Sequence, residues 1–205
     1  MKYIIMCGGD YHTDIPKQLL EVKGEPIVAR TIRLLKENGI TDISISATDD
    51  RFEQFGVPVL RHDNRYGNGG RWLEAFYPTE DPVCYVFGDV VFSPQAIKII
   101  VETDTESIQF FASAPPFTYM YTKDWAEPFA FKVNNQKVFR ERINNTIQLD
   151  KEGKFYREPV SWELWQVIKG GPLNTIIYSN YCTINDYTCD VDHPEDLPKI
   201  ERWME

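Results

Sequence analysis

Residues 3–27, "YIIMCGGDYHTDIPKQLLEVKGEPI", begin as an apolar run and continue as a polar loop with two adjacent glycines and a lysine. The run "KYIIM" (Lys2–Met6) is typical of a short buried strand, and the glycine pair marks its end. Glycine lets a backbone turn its N–H groups towards a close ligand, which is usually phosphate. The stretch therefore predicts a buried strand followed by an anion-binding loop.

Strands and helices alternate as far as residue 113. After the loop we predict a helix from Pro26 to Gly39, strands at "DISISA" and "VPVLRH", a helix at "GGRWLEAFY", a strand at "PVCYVFGD", a helix at "PQAIKIIVE" and a strand at "SIQFFAS". This alternation predicts an α/β protein with a mostly parallel sheet and helices on both faces. Ligands of such sheets bind at the carboxyl ends of the strands, so the loops after Met6 and Phe87 are expected to share one edge.

The second half is rich in aromatic residues. Residues 114–142 read as short strand-like runs with a turn at "NNQK", followed by a helix at "VSWELWQVIKGG", a strand at "NTIIYS" and a terminal helix at "HPEDLPKIERWM". No repeat, low-complexity tract or linker interrupts the chain. We therefore expect one domain, in which the second half covers the site formed by the first.

The net charge of −9 and the scattered Lys and Arg residues argue against a nucleic-acid partner, since no basic cluster faces a row of phosphates. Carboxylates in excess instead suit a site where Mg²⁺ is held against a phosphate. The four cysteines show no C-x-x-C spacing, which favours reduced thiols and a cytoplasmic location. No apolar window has the length of a signal peptide or a membrane span.

Four charged residues are candidates for the chemistry. Lys17 can act as a point charge on phosphate oxygens, or it can be a solvated lysine beside a simple turn. Asp89 follows a buried strand and suits a metal, although aspartates are also common in turns. Asp190 and Asp192 alternate on an extended segment, so they share one side and repel each other unless a cation intervenes. Alternatively, Asp192 caps a helix beginning near Pro194.

The order of a strand with a glycine pair, "PKQLLEVKGEPIVARTIRLLKENGITDISI", "VFGDVVFS" and "DVDHPEDLPKI" resembles the nucleotidyltransferase superfamily. That superfamily includes molybdenum-cofactor guanylyltransferase-like proteins, sugar-1-phosphate nucleotidyltransferases and small cytidylyltransferases. The resemblance covers residues 1–113 and 182–205. It implies a Rossmann-like, GT-A-type three-layer sandwich with a mixed, mostly parallel sheet. The single domain, 1–205, would comprise a nucleotide-binding half (1–113), an acceptor-binding or cover region (114–181) and a metal-site segment with the C-terminal helix (182–205).

The resemblance also implies a reaction. An NTP and a small phosphorylated acceptor would give an NDP-linked product and pyrophosphate, with Mg²⁺ as the cofactor. CTP is favoured by the likeness to small cytidylyltransferases, and UTP and GTP stay open. We expect a cytoplasmic monomer or homodimer, without a nucleic-acid or membrane partner, that supplies cell-surface polysaccharide or lipid decoration.

Carried over position by position, the resemblance implies Lys17 and Asp89 as catalytic residues and Asp89, Asp190 and Asp192 as metal ligands. The implied nucleotide-binding residues also include Lys17 and Asp89, together with Cys7, Gly8, Gly9, His12, Asn68, Gly69 and Arg71. The usual G-x-G-x-R loop carries an arginine, whereas "GGDYHTDIPK" is shorter and has none. His12 lies near that vacant position and can be either a phosphate contact or an exposed spectator.

The aromatic second half is expected to hold the acceptor. Trp125, Glu127 and Trp162 are the candidate acceptor-binding residues, since aromatic faces beside a carboxylate can surround a cationic head such as choline. The same aromatic residues would equally serve as the core of a covering layer.

Two other functions stay open. A GT-A glycosyltransferase usually carries D-x-D after the central strand, whereas "GDVVF" has one aspartate there and "DVD" comes late in the chain. A catalytically impaired nucleotide-binding relative would fit the missing arginine.

Overall fold

A computed structural model describes residues 1–8, 14–61, 73, 75–80, 82–115 and 126–204. Its strands, numbered in chain order, are β1 (Lys2–Met6), β2 (Glu21–Val22), β3 (Glu25–Pro26), β4 (Ile43–Ala47), β5 (Val59–Arg61), β6 (Val83–Phe87), β7 (Val90–Val91), β8 (Ile108–Ala112), β9 (Pro128–Val133), β10 (Cys182–Thr183) and β11 (Cys189–Asp190). Its α-helices are α1 (Ile27–Glu37), α2 (Pro94–Glu102), α3 (Gln136–Lys151), α4 (Ser161–Lys169) and α5 (Leu197–Glu201).

Seven of these strands form one mixed sheet in the order β10-β8-β9-β6-β1-β4-β5. Strand β1 runs parallel to β4 and β6, β4 runs parallel to β5, and β8 runs parallel to β10. Strand β9 alone runs antiparallel to its neighbours, β6 and β8. The prediction of an α/β protein with a mixed, mostly parallel sheet is confirmed. Because β1 and β6 are parallel neighbours, the loops after them leave the same edge, as expected.

The antiparallel strand β9 brings its amino end to that edge. The pairs run from Val83 opposite Val133 to Val86 opposite Ala130, so the amino end of β9 lies at the carboxyl end of β6. The residues just before β9 therefore lie beside the residues just after β6. The sequence did not indicate this contact, because strand direction leaves no mark in a short apolar run.

Two hydrophobic clusters hold the elements together. The larger one contains the buried strands β1, β4 and β6 and the apolar face of α1, where Val28, Ile32 and Leu35 follow the predicted helical spacing. The smaller cluster, called here the support cluster, comprises Val22, Ile27, Val91, Cys189, Val191, Ile200 and Met204. It joins the β2–β3 hairpin, the β7–β11 pair and the C-terminal helix, and so connects residues 22–27, 91 and 189–204.

Two predictions about the second half are wrong. The strand-like interpretation beyond residue 134 is replaced by helix α3, whose first turn is capped by the Asn135 side chain accepting from Val138 N at 3.0 Å. The segment "NTIIYS" forms no strand. Instead the buried Gln166 amide donates to the carbonyls of Pro172 and Thr175 and accepts from Ile177 N, so these backbone groups need no strand partner.

All four cysteines are free thiols, and three of them are buried. In the described ranges no helix has both the length and the apolar character needed to cross a lipid bilayer.

Candidate active site

Lys17 stands on a short braced segment. It begins a 3₁₀ turn, Lys17–Leu19, which leads directly into the β2–β3 hairpin. The two residues of the hairpin turn, Lys23 and Gly24, both have positive φ angles, of 48° and 77°, as a type I′ turn requires. The predicted polar loop therefore gives way to regular structure from residue 17 onward.

The C-terminal helix holds this hairpin in place. Lys23 N donates to Glu201 Oε1 at 2.5 Å, and Lys23 Nζ donates to the carbonyl oxygen of Met204. Val22 and Met204 also meet in the support cluster. The end of the chain thus stabilises the segment that carries Lys17.

Asp89 is positioned by the glycine before it. Gly88 N donates to the carbonyl of Met6 at 3.0 Å, which joins the ends of β6 and β1. A Cβ atom at Gly88 would lie 2.5 Å from Met6 O and 2.8 Å from Cys7 Sγ, so no larger residue fits without displacement. Glycine at this position therefore allows the end of β6 to approach the end of β1, and Asp89 follows directly after this contact.

The late "DVD" segment pairs with the residues that follow Asp89. Asp190 of β11 lies opposite Val90 of β7, and Val191 N donates to the carbonyl of Asp89 at 2.9 Å. The antiparallel pairing therefore carries Asp190 and Asp192 to the edge of the main sheet. The β7–β11 pairing is thus the contact that brings the "VFGDVVFS" and "DVDHPEDLPKI" segments together.

Lys17, Asp89 and Asp192 meet at this edge. Lys17 Nζ lies 3.3 Å from Asp192 Oδ1 and 3.8 Å from Asp89 Oδ2. Lys17 and Asp89 are partly buried, so their attraction is less screened than that of a pair in open water, whereas Asp192 is exposed. Lys17 is thus an ion-paired lysine and not the solvated lysine of the alternative interpretation.

The helix-capping role considered for Asp192 is filled by Asp196. The buried Asp196 carboxylate accepts from His193 N at 3.0 Å and from Lys199 Nζ at 3.0 Å. These bonds hold the pKa of Asp196 below its usual range against the opposing effect of its burial. The sequence interpretation missed Asp196, although an acidic residue in the first turn of a helix was the available signal.

The electrostatics at Asp89 favour a bound cation. Burial of its carboxylate raises the pKa to about 6; Lys17 opposes this rise, whereas Asp190 and Asp192 add to it. The side chain keeps 34% of its surface exposed, so a ligand can reach it from solvent. Burial, with the nearby Asp89 charge, also raises the pKa of the Cys7 thiol well above its usual value, which leaves that thiol protonated.

The residues present fit a magnesium ion. Asp89 and Asp192 both approach one ammonium group, which shows that their oxygens can share a single cation. Mg²⁺ in nucleotide enzymes takes one or two protein carboxylates and completes its coordination with phosphates and water. Among the described residues, no three His, Cys, Asp or Glu side chains are grouped closely enough to hold a metal ion, so Asp89, Asp190 and Asp192 do not form a three-carboxylate site by themselves. Asp190 lies alongside and stays a predicted ligand.

The remaining predicted nucleotide-binding residues divide into two groups. Cys7 is fully buried, and its backbone N donates to Ser46 O at 2.8 Å, so the residue shapes the end of β1. Gly8 follows it at the edge and stays a predicted ligand. Other predicted positions lie outside the described residues and stay predictions: Gly9, His12, Asn68, Gly69, Arg71 and the acceptor residue Trp125.

The acceptor candidates Glu127 and Trp162 lie on the β9 side of the edge. Glu127, only 3% exposed, is fixed by paired bonds with Ser113, in which Glu127 N donates to Ser113 Oγ at 2.7 Å and Ser113 N to Glu127 O at 2.8 Å. Trp162 Nε1 donates to Ala126 O at 2.9 Å, while the ring packs edge-on against Tyr178 and other aromatic residues. Trp162 is thus a buried support beneath Glu127, and a direct contact with an acceptor stays a prediction.

The architecture is a Rossmann-like α/β fold with a mixed, mostly parallel sheet. Neither a protein-family model nor a curated protein sequence matches the chain. Solved structures with the same fold include HddC from Yersinia pseudotuberculosis complexed with GMP-PN, which is 14% identical, with a TM-score of 0.57 and coverage of 100% of this chain and 99% of that one.

Two further solved structures match over nearly the whole length. The inositol-1-phosphate CTP transferase from T. maritima is 17% identical, with a TM-score of 0.57 and coverage of 98% of this chain and 96% of that one. A putative glucose-1-phosphate thymidylyltransferase from Bacillus anthracis, in complex with a sucrose, is 17% identical, with a TM-score of 0.58 and coverage of 98% and 94%. At these identities the likeness shows the fold, and the activity has to be argued from the site.

Proposed function

We propose that this protein is a nucleotidyltransferase that transfers NMP from an NTP to a small phosphorylated acceptor and releases pyrophosphate. The observation that carries the proposal is the convergence of Lys17, Asp89 and Asp192 from three distant segments at the carboxyl edge of the sheet. A lysine for phosphate charge and two carboxylates for a metal are the groups that this chemistry needs.

The reaction requires no nucleophile from the protein. An oxygen of the acceptor phosphate attacks the α-phosphorus of the NTP, forms a new P–O bond, and displaces pyrophosphate, which leaves with the electrons of the broken bond. The task of the protein is therefore to position the two phosphates and to offset their charge. Lys17 would bind triphosphate oxygens, and Asp89 and Asp192 would hold Mg²⁺, which supplies further neutralisation when bound.

We further propose CTP as the nucleotide. The support is the resemblance to small cytidylyltransferases and a structural neighbour named as a CTP transferase. The other neighbours carry names that point to guanine and thymine nucleotides, so the assay includes those bases. A cytoplasmic role in supplying precursors for surface polysaccharide or lipid decoration, by a monomer or homodimer, completes the proposal.

The test measures pyrophosphate. The purified protein is incubated with Mg²⁺, with CTP, UTP, GTP, ATP or dTTP, and with inositol 1-phosphate, glucose 1-phosphate or phosphocholine. Pyrophosphate that appears only with both substrates supports the proposal. Release of free NDP from an NDP-sugar would instead indicate a glycosyltransferase, and NTP binding without pyrophosphate across the panel would indicate a catalytically impaired relative.

The matched control for the metal carboxylate is Asp42→Asn. Asp42 pairs with Lys2 at 3.2 Å at the start of the parallel strands β1 and β4, at the opposite edge of the sheet. Asp89→Asn should abolish the acceptor-dependent pyrophosphate, whereas Asp42→Asn removes the same charge and should leave it unchanged. Equal activity in both variants would exclude Asp89 from the reaction.

A further inference from the structure

A buried carboxylate fixes an arginine near the second half of the site. Glu163, in the first turn of α4, is fully buried, and both of its oxygens accept hydrogen bonds. Arg157 Nε donates to Oε1 at 2.6 Å and Val160 N donates to Oε2 at 3.0 Å. A carboxylate in such surroundings needs a cation beside it, so Arg157 is held in one orientation by the pair.

Arg157 keeps most of its donors available. Its side chain is 45% exposed, and within the described part of the chain only Nε has a hydrogen-bond partner. The guanidinium carbon lies 5.5 Å from the centroid of the exposed Tyr156 ring, which adds a second restraint. A guanidinium that is fixed on one side and keeps both terminal nitrogens available is preorganised to bind an oxyanion.

The surroundings of Tyr178 connect Arg157 with the active-site edge. Burial raises the pKa of the Tyr178 phenol, the nearby Arg157 opposes that rise, and Tyr156, Glu163 and Glu127 add to it. The Tyr178 ring also packs edge-on against Trp162, with 4.7 Å between centroids. Trp162 in turn donates to Ala126, directly before Glu127. The Arg157–Glu163 pair therefore lies next to Trp162 in the sequence, and Trp162 contacts the residue before Glu127 on the β9 side of the site.

We propose that Arg157 binds an anionic group of the phosphorylated acceptor and that Glu163 is its positioning residue. The inference rests on the proposed function for the identity of the ligand. The edge already carries the carboxylates of Asp89 and Asp192, and Lys17 is shared between them. A phosphorylated acceptor adds negative charge, and its binding requires hydrogen-bond donors of positive charge in addition to Lys17. Arg157 is paired with Glu163 through Nε, and its two terminal nitrogens can supply those donors.

Equilibrium binding of inorganic phosphate tests the inference without any turnover. Titration is followed by ³¹P NMR in EDTA, in a Lys17→Met background that removes the other proposed phosphate ligand. Adding Arg157→Gln should weaken phosphate binding roughly tenfold or more. The phosphate affinity of Arg157→Lys should lie between that of Arg157→Gln and that of the background protein. Unchanged phosphate affinity after Arg157→Gln, or no phosphate binding in the background itself, would overturn the inference, whatever reaction the enzyme catalyses.

Arg33→Gln is the matched control. Arg33 is 43% exposed and pairs with Glu25 at 2.7 Å, so it resembles Arg157 in exposure and pairing but lies on the outer side of α1. Its loss should leave phosphate affinity unchanged. Because Arg157→Gln leaves Glu163 buried without its cation, the double variant Arg157→Gln/Glu163→Gln removes both charges and keeps an acceptor for Val160 N. Wild-type phosphate affinity in a folded double variant would also overturn the inference.

Steady-state kinetics then identify the anion. Arg157→Gln should raise the KM for the acceptor roughly tenfold or more, while the KM for the NTP and kcat stay near wild type. Glu163→Gln should raise the same KM by a smaller factor. Acceptors with and without an additional carboxylate are compared. If the KM rises equally for both kinds, Arg157 binds the phosphate. If it rises only for acceptors that carry the carboxylate, Arg157 binds that carboxylate. An unchanged acceptor KM throughout would contradict the role of Arg157.

Discussion

Lys17 Nζ lies 3.3 Å from Asp192 Oδ1, although the two residues are 175 positions apart in the sequence. The same nitrogen lies 3.8 Å from Asp89 Oδ2, so one ammonium group is shared by both proposed metal ligands. If the proposed function is correct, the lysine and a divalent cation would compete for the same oxygens in the absence of a triphosphate. Metal binding and nucleotide binding would then be interdependent.

We expect Lys17→Met to bind Mn²⁺ more tightly than the wild type in the absence of nucleotide. The variant frees Asp89 and Asp192 from the ammonium group, so the metal no longer has to displace it. Turnover should nevertheless fall by about two orders of magnitude or more, because the triphosphate loses a charged ligand. Mn²⁺ affinity is measured by electron paramagnetic resonance and turnover by pyrophosphate release.

The control for this prediction is Lys98→Met, which changes the net charge equally. Lys98 lies on α2, where it pairs with Glu102 at 3.9 Å. This variant should retain wild-type Mn²⁺ affinity and turnover. If Lys17→Met binds Mn²⁺ no more tightly than Lys98→Met, the ammonium group does not compete with the metal.

Asp89→Asn should make the metal-free protein more stable at neutral pH while it removes the activity. The folded-state pKa of Asp89, about 6, is higher than the ordinary value of 3.8 expected in the unfolded chain. The folded protein therefore binds this proton more strongly between about pH 4 and 6, and this contribution to stability rises as pH falls through that window. Above pH 6 the charged carboxylate disfavours the folded state, and asparagine avoids that cost.

Thermal unfolding in EDTA measures this effect. The melting temperature of Asp89→Asn should exceed that of the wild type by about 2 °C or more at pH 7.5, and the difference should shrink towards pH 4. The comparison of the two proteins cancels the opposite pH dependence of carboxylates with lowered pKa, such as Glu25 and Asp49. A difference that grows as the pH falls would contradict the raised pKa of Asp89.

The elements nearest the site were predictable because their signals are local. An apolar run that stops at glycine marks β1, and an apolar run that stops at Gly88-Asp89 marks β6. Parallel pairing of such runs follows from the alternation of strands and helices. These features were sufficient to predict that the first loop and Asp89 share an edge.

The rest of the site depends on contacts that carry no periodic signal. The pairing of β7 with β11 involves two residues on each strand, too few for an alternating pattern to be read. The late aspartates could therefore be connected with Lys17 only through the resemblance to a family. Arg157 was not identified, because its importance depends on the burial of Glu163, and a single glutamate in a helical pattern is ordinarily exposed.

Gly88→Ala should disrupt both the fold and the site. The added methyl group would lie 2.5 Å from Met6 O and 2.8 Å from Cys7 Sγ, and the first of these is a backbone atom that cannot swing aside. We expect a loss of about 1–3 kcal/mol in the free energy of unfolding, together with displacement of Asp89 and reduced Mn²⁺ affinity. Denaturant titration and Mn²⁺ binding are the two measurements.

Gly171→Ala provides the control for glycine replacement. A Cβ at Gly171 would have its nearest neighbours at 3.5 Å or more, which is ordinary contact. Its free energy of unfolding and Mn²⁺ affinity should therefore stay close to those of the wild type. Equal behaviour of the two alanine variants would show that the junction between β1 and β6 is not tightly packed.

Asp196→Ala should weaken metal binding although Asp196 is not itself a proposed ligand. Its carboxylate accepts from His193 N and Lys199 Nζ, and it thereby caps the terminal turn and leaves Asp192 to approach Lys17. Losing a cap should cost about 1 kcal/mol in the free energy of unfolding. Mn²⁺ affinity should fall roughly tenfold, as expected for a residue that supports a metal ligand. The exposed neighbour Glu195 is the control, since Glu195→Ala removes the same charge without removing the cap. If Asp196→Ala loses stability but keeps its Mn²⁺ affinity, the orientation of Asp192 does not depend on the cap.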